Sequence, residues 1–343
     1  MKQAVMLRPE QIEIQEAGIP TPGSNEVLVK VRAVGICTWE QRFYHGKEQA
    51  YPFVGGHEIS GVVVKVGHEV VQGLRPGDKV AVASLTRCGE CYYCRRGMDH
   101  MCIGANVKAK TGEKWGPGGF SEYMVAKGYE VYKLHPDVKF TSATISEPLA
   151  CVIHSVNKSH IRLGDLVVVI GAGIMGLLHL KVAMLRGARV VVSEPDPERR
   201  ERARENGAAW VVDPAREDLG EIVKQMTEGR GANVVFFTAG GAPAIHQGLK
   251  LLEKGGALII YGSVHPAQPI ELNPNDIHYD EYIITGSIRH DRESFREATE
   301  MISRGLIGVD DLVSETVPFE RIENAFQRAG LLDTYRVVLT FGE

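Results

Sequence analysis

The chain has no apolar run long enough to cross a bilayer, and its first residues, MKQAVMLRPE, carry no signal-like apolar core. These gaps set aside membrane-spanning and exported classes, so no membrane partner is expected and the expected location is cytoplasmic. A run of one charge is also missing: Lys and Arg number 39 against 43 Asp and Glu, a net charge of −4. Phosphate neutralisation supplies most nucleic-acid affinity, and without a basic stripe no nucleic-acid partner is expected. The densest arginine segment, 198–205 (ERRERARE), interleaves acids with bases and reads as a solvated helix face. Low-complexity tracts and internal repeats are absent too. What remains is an ordinary globular composition, 44% hydrophobic, in 343 residues, a length that favours two domains over one core.

Cysteine is scarce, with six in all, yet four of them stand together as Cys88, Cys91, Cys94 and Cys102 in a C-x2-C-x2-C-x7-C run. Two-residue gaps let a turning backbone aim neighbouring sulfurs at a common centre, which predicts a four-sulfur zinc site. Paired disulfides would need an oxidising compartment and usually a small secreted domain, and neither condition is met. Four sulfurs close the coordination sphere. This metal therefore reads as structural, and the chemistry must lie elsewhere.

The first third alternates short Val-rich runs, such as 26–34 and 60–66, with turns such as Pro76-Gly77-Asp78, the texture of an irregular β lobe. From about Gly164 short apolar runs (166–170, 189–193, 233–237, 257–261) alternate with helix-length segments, which predicts a doubly wound parallel sheet and an α/β fold. Directly after the first of these runs comes Gly171-Ala172-Gly173-Ile174-Met175-Gly176, followed by a helical segment. In that context the glycines read as a dinucleotide cradle: a tight turn, close backbone approach to a pyrophosphate, and helix packing on strand. The next strand ends in Glu194, an acid placed to accept ribose hydroxyls and repel a 2′-phosphate, which favours NAD over NADP. Arg199 lies near enough in sequence to keep NADP open.

Two further pieces carry possible metal ligands: Gly35-Ile36-Cys37, and Gly56-His57-Glu58-Ile59-Ser60-Gly61 followed by Gly67. Three protein ligands would leave a fourth position for an alcohol. Taken alone, Cys37 could equally be a small buried hydrophobe and His57-Glu58 a satisfied turn.

In order and spacing, Cys37, the G-H-E-x2-G-x5-G-x2-V motif, the four-cysteine run, Gly118-Gly119-Phe120-Ser121-Glu122-Tyr123 and the glycine fingerprint resemble the zinc-dependent medium-chain dehydrogenase/reductase family. Glu147-Pro148-Leu149-Ala150 is similar to the sorbitol and butanediol dehydrogenase branch. The resemblance implies a GroES-like catalytic domain over 1–147 and 282–343 around a Rossmann domain over 148–281. It implies two zincs per chain and NAD. Cys37, His57 and Glu58 become catalytic zinc ligands, with Glu147 an alternate ligand or a partner of bound water. Gly171, Gly173, Ile174, Met175, Gly176, Glu194 and Arg199 become cofactor-binding residues, Arg336 a contact to the cofactor pyrophosphate, and Arg289 a contact to hydroxyl-rich substrates. A homo-oligomer is implied, a tetramer more than a dimer.

The pattern breaks at Cys37-Thr38-Trp39-Glu40, where the family usually carries Ser or Thr at the Trp39 position as a proton relay and then Asp. An indole N–H donates but cannot accept, so Trp39 cannot be that relay. Thr38, His45 or a water on Glu147 could replace it, and Trp39 could reshape the pocket. Phe43 stands near a usual tyrosine, which removes a hydroxyl contact. The expected reaction is hydride transfer between NAD and a secondary alcohol, foremost a polyol or sugar alcohol, with 2,3-butanediol and L-threonine as enzyme alternatives. A zinc- and NAD-binding protein with a silent site is the non-enzyme alternative.

Overall fold

The computed structural model describes residues 1–104 and 114–342. By contacts the chain divides into two compact units, Met1–Ala150 with Asp291–Glu343, and Cys151–His290.

The first unit opens on a hairpin of β1 (Lys2–Arg8) and β2 (Gln11–Glu16). Then follow β3 (Glu26–Gly35), β4 (Glu58–Val66), β5 (Lys79–Ala83), β6 (Tyr123–Lys127) and β7 (Val131–Lys133). The Val-rich runs become strands because branched side chains suit a pleated, half-buried surface. In β3 Val27, Val29 and Val31 are all fully buried and enter one core with Phe53, Phe120 and Phe326.

The second unit holds β8 (Leu166–Ile170), β9 (Arg189–Ser193), β10 (Trp210–Val212), β11 (Ala232–Phe237), β12 (Leu252–Ile260) and β13 (Ile283–Gly286). They form one parallel sheet in the order β10-β9-β8-β11-β12-β13. Counted from β8 this is 3-2-1-4-5-6, the Rossmann order, as the α/β reading expects. All five residues of β8 are buried because helices cover both faces. Burying those five side chains contributes about 10 kcal/mol before chain entropy is subtracted.

The chain then returns to the first unit with β14 (Val313–Pro318) and β15 (Arg336–Thr340), which complete the order β14-β15-β3-β4-β5-β7, with β6 paired to β3. One boundary differs from expectation. A catalytic tail beginning at 282 would include β13, but β13 is hydrogen-bonded in parallel to β12, with Ala257 opposite Ile283, so it closes the nucleotide-type sheet and the return falls at Asp291.

Candidate functional site

Three strand ends meet at one end of the first unit's sheet. In the antiparallel register Gly35 at the end of β3 lies opposite Glu58 at the start of β4 on one side and Val338 of β15 on the other. A Cβ on Gly35 would collide with the Glu58 carboxylate, so glycine is what allows that carboxylate to turn across the neighbouring strand. Two residues on, Cys37 is the N-cap of the helix Thr38–Tyr44 and makes no side-chain cap, which leaves its sulfur available. Donor atoms of Cys37, His57 and Glu58 all lie within 4.8 Å of one another.

Burial pushes the Cys37 thiol up, partly opposed by His57. Burial works against the His57 imidazolium, but the adjacent Glu40 and Cys37 outweigh it and raise His57 well above the usual histidine range. Burial also pushes Glu58 up to about 7, with Arg336 and His57 opposing. These groups hold protons that a divalent cation would displace, and Glu58 Oε2 has no hydrogen-bond partner. A thiolate, an imidazole and a carboxylate converging, with one carboxylate oxygen left unpartnered, fit zinc.

The imidazole is oriented by Glu40, fully buried on the helix Thr38–Tyr44, whose Oε1 lies 2.6 Å from His57 Nδ1 and accepts from the Gly56 N–H at 3.0 Å. A carboxylate on Nδ1 fixes the proton there and leaves the Nε2 lone pair to a metal. Glu147 stands outside the three-donor cluster, its Oε2 3.9 Å from His57 Nε2. Arg336, expected to reach the cofactor pyrophosphate, is buried at 4% exposure in the first unit, where it places Nη2 2.8 Å from Glu58 Oε1 and donates from Nη1 to the Ile36 carbonyl at 2.8 Å. Its position at the start of β15, next to β3, delivers it to the carboxylate behind the metal donors. His45, at the far end of the same helix, lies 3.7 Å from Glu10.

Trp39 projects from this helix beside His57, with ring centroids 5.6 Å apart, and Phe43 is buried in a parallel stack on Phe53 at 4.0 Å. Arg289 lies in the second unit, after β13, at a left-handed φ of 59°. Cys151 is buried in the helix Ser146–Val156.

The four-cysteine loop is drawn together as its spacing predicts. Sulfurs of Cys88 and Cys102 lie 3.5 Å apart and those of Cys91 and Cys102 3.9 Å apart. Tetrahedral zinc with bonds of about 2.3 Å sets its sulfurs about 3.8 Å apart, whereas a disulfide needs about 2.05 Å. Backbone N–H groups of Cys88 and Gly104 donate to Cys102 Sγ, and that of Cys91 to Cys88 Sγ, as thiolates around a cation require. Sequence reasoning missed the clamp on this loop. Asp99, buried between the last two cysteines, accepts from Arg292 Nε at 2.6 Å and pairs with Arg87 at 3.3 Å.

In the second unit Gly171, Gly173 and Gly176 form the turn from β8 into the helix Ile174–Leu185. A Cβ on Gly176 would collide with the Gly171 carbonyl, so helix and strand approach this closely only through glycine. Gly173 is the N-cap and supplies no side-chain cap, leaving the first N–H groups, those of Ile174 and Met175 included, for an anion. Glu194 is tied to this turn, accepting from the Ala172 N–H at 2.7 Å and the Asp196 N–H at 2.9 Å. Arg199 Nη1 lies 3.8 Å from where a Gly173 Cβ would stand, so its guanidinium covers the same turn.

The chain is similar to known proteins over nearly its whole length. The family model for an alcohol dehydrogenase GroES-like domain matches residues 23–136, and that for a zinc-binding dehydrogenase matches 175–304. The sorbitol dehydrogenase of Halalkalibacterium halodurans is 32% identical, covering 95% of each chain. The L-threonine 3-dehydrogenase of Pyrococcus abyssi is 34% identical over 93% of this chain and 92% of its own. A solved structure of the alcohol dehydrogenase RspB of Escherichia coli CFT073 with NADH superposes with a TM-score of 0.88 at 30% identity, covering 99% of both chains. With two thiolate-capable centres, a glycine cradle and near full-length relatives that are named dehydrogenases, the chain belongs to the zinc-dependent medium-chain dehydrogenase/reductase family and is an oxidoreductase.

Proposed function

We propose that this enzyme transfers hydride between NAD and a secondary hydroxyl of a polyol, using a zinc held by Cys37, His57 and Glu58, with a second zinc in the four-cysteine loop. The observation that carries the reading is the convergence of three donors of different chemistry within 4.8 Å, with Glu147 3.9 Å from His57. Zinc in such a site supplies Lewis acidity, drawing a hydroxyl pKa toward about 7 as it does for water. Glu40 keeps the His57 Nδ1 proton in place, and Arg336 balances the buried Glu58 charge. Glu147 is a water partner or an alternate donor. On the cofactor side the helix Ile174–Leu185 offers its N-terminus to the pyrophosphate, Glu194 receives the ribose hydroxyls, and Arg199 adds positive charge over the turn. Arg289 contributes a polar handle for a hydroxyl-rich substrate. A cytoplasmic homotetramer completes the reading.

L-Threonine is the second reading, favoured by the 34% identity to a threonine dehydrogenase. The test is NADH formation by protein carrying two zincs per chain, offered sorbitol, 2,3-butanediol and L-threonine with NAD or NADP. Turnover of the polyol with NAD preferred is the expected result. Turnover confined to threonine selects the second reading, and silence across the panel in fully metallated protein removes both.

A further inference from the structure

Trp39 is the departure that the reaction scheme leaves unexplained, and its surroundings define what it offers. Phe43 and Phe53 stack parallel, centroids 4.0 Å apart at 5°. The indole stands at 78° to Phe43 and 73° to Phe53, with centroids 4.9 and 5.5 Å away. If the indole pointed its edge into the face of one phenyl, the second ring of the stack would lie roughly 9 Å off. Both distances are near 5 Å instead, so the two phenyl edges rest on a single indole face. Phe43 and Phe53 are buried at 6% and 2%, whereas Trp39 remains 40% exposed. The exposure therefore belongs to the opposite face and rim. His57 borders the same ring at 76° and 5.6 Å, so the indole, held from behind by the two phenyl rings, lies next to the metal donors proposed above.

From this we infer that Trp39 is a stacking platform for a saturated ring, and that the substrate is a cyclic polyol oxidised at a ring hydroxyl. The inference rests on the dehydrogenase reading above and narrows its substrate class. In a six-membered ring with equatorial hydroxyls the axial C–H bonds make a flat apolar face, and the hydroxyls project from its edge. Such a face covers the indole while an edge hydroxyl turns toward the donors around His57. An open-chain alditol has no fixed flat face and would have to lose several rotors to present one. The indole N–H can donate to a ring hydroxyl but cannot accept a proton, which suits a binding wall and not a relay. In the reaction the ring C–H bond breaks, its hydrogen and electron pair pass to the nicotinamide of NAD, and the hydroxyl proton leaves to solvent. The products are the ring ketone and NADH.

The test compares myo-inositol, sorbitol and 2,3-butanediol as substrates for the zinc- and NAD-loaded enzyme and its Trp39→Ala and Trp39→Phe variants. Covering the exposed indole face predicts that Trp39→Ala raises the KM for myo-inositol about tenfold, with little change in kcat and none in the KM for butanediol. Trp39→Phe keeps an aromatic face and should stay within about threefold of the parent, which separates lost stacking from lost folding. A binding readout runs beside it: with Trp115 and Trp210 replaced by Phe, Trp39 is the sole indole, and myo-inositol should quench its fluorescence in the zinc- and NADH-loaded protein. Preference for sorbitol with equal effects of Trp39→Ala on both polyols overturns the inference and leaves the dehydrogenase reading intact. Quenching by myo-inositol without turnover of any alcohol keeps the stacking platform but overturns the substrate assignment together with the dehydrogenase reading. Absence of quenching overturns the inference whatever the turnover.

Discussion

Replacing Arg336 by Met tests whether this arginine serves the metal site or a cofactor. The guanidinium and the Glu58 carboxylate are 4% and 0% exposed and 2.8 Å apart, so the substitution leaves a carboxylate buried without its counter-charge. Breaking a buried pair from one side costs about 3–5 kcal/mol. For a unit of about 200 residues, at about 2–4 °C per kcal/mol, the melting temperature should fall by roughly 10 °C. Two features shape the outcome. Glu58 already sits near 7, so in the variant it takes up a proton at neutral pH, which limits the stability loss but removes a charged donor. A bound cation would replace the missing positive charge, so the loss should be larger in chelated protein than in zinc-loaded protein. The assay is thermal unfolding of Arg336→Met and of the double variant Arg336→Met/Glu58→Gln, each with and without zinc, and metal content by mass spectrometry. The double variant should recover part of the stability lost by the single one, because no lone charge remains. Zinc affinity in the single variant should drop about 10–100-fold, as for other groups that support a ligand. An unchanged melting temperature and zinc content, with only the KM for NAD raised, would refute this reasoning and return Arg336 to the cofactor.

Cys37→Ser should lower bound zinc from two per chain to one, measured by elemental analysis, because the four-cysteine loop stands on its own ligands. Glu194→Gln removes the negative charge at the ribose position and should cut the preference for NAD over NADP about tenfold in kcat/KM ratios. His179 gives a pH signature in the second unit. It is fully buried, donates from Nδ1 to the Met175 carbonyl and meets Ser155 Oγ at Nε2, and burial depresses it to about 4 against 6.5 unfolded. Because the folded value is the lower one, its contribution is complete above pH 6.5 and is lost as pH falls toward 4, about 3 kcal/mol in all. Denaturation midpoints between those pH values should decline more steeply in the parent than in His179→Phe.

What could be read from the sequence was what short-range geometry decides. The glycine fingerprint and the C-x2-C-x2-C run place their groups through turns a few residues long, and both appear as their spacing predicts. Pairings across the chain were a different matter. Arg336 follows no local signal toward Glu58; it reaches that carboxylate because β15 lies against β3 and β3 against β4, a strand order that no local pattern encodes. The strand IITG at Ile283–Gly286 reads equally well as the start of a returning tail, and only its bonds to β12 assign it. Asp99 likewise carries no local signal for its partner, because Arg292 comes from the far end of the chain.

The two departures from the family pattern, Trp39 and Glu40, are neighbours on one helix, and the structure separates their consequences. Glu40 is a methylene longer than the usual aspartate, yet a single oxygen still reaches both His57 Nδ1 and the Gly56 N–H. The group that orients the His57 imidazole is thus retained. Trp39 changes something else, because an indole cannot pass a proton but does present a fixed apolar face next to that imidazole. A silent site would have no reason to keep the buried Glu40 and Arg336 charges aligned behind the donors, since each buried charge costs stability unless it holds something in place. The carboxylate behind the proposed metal-binding imidazole is preserved while its aromatic neighbour differs, which is the arrangement that the proposed change of substrate calls for.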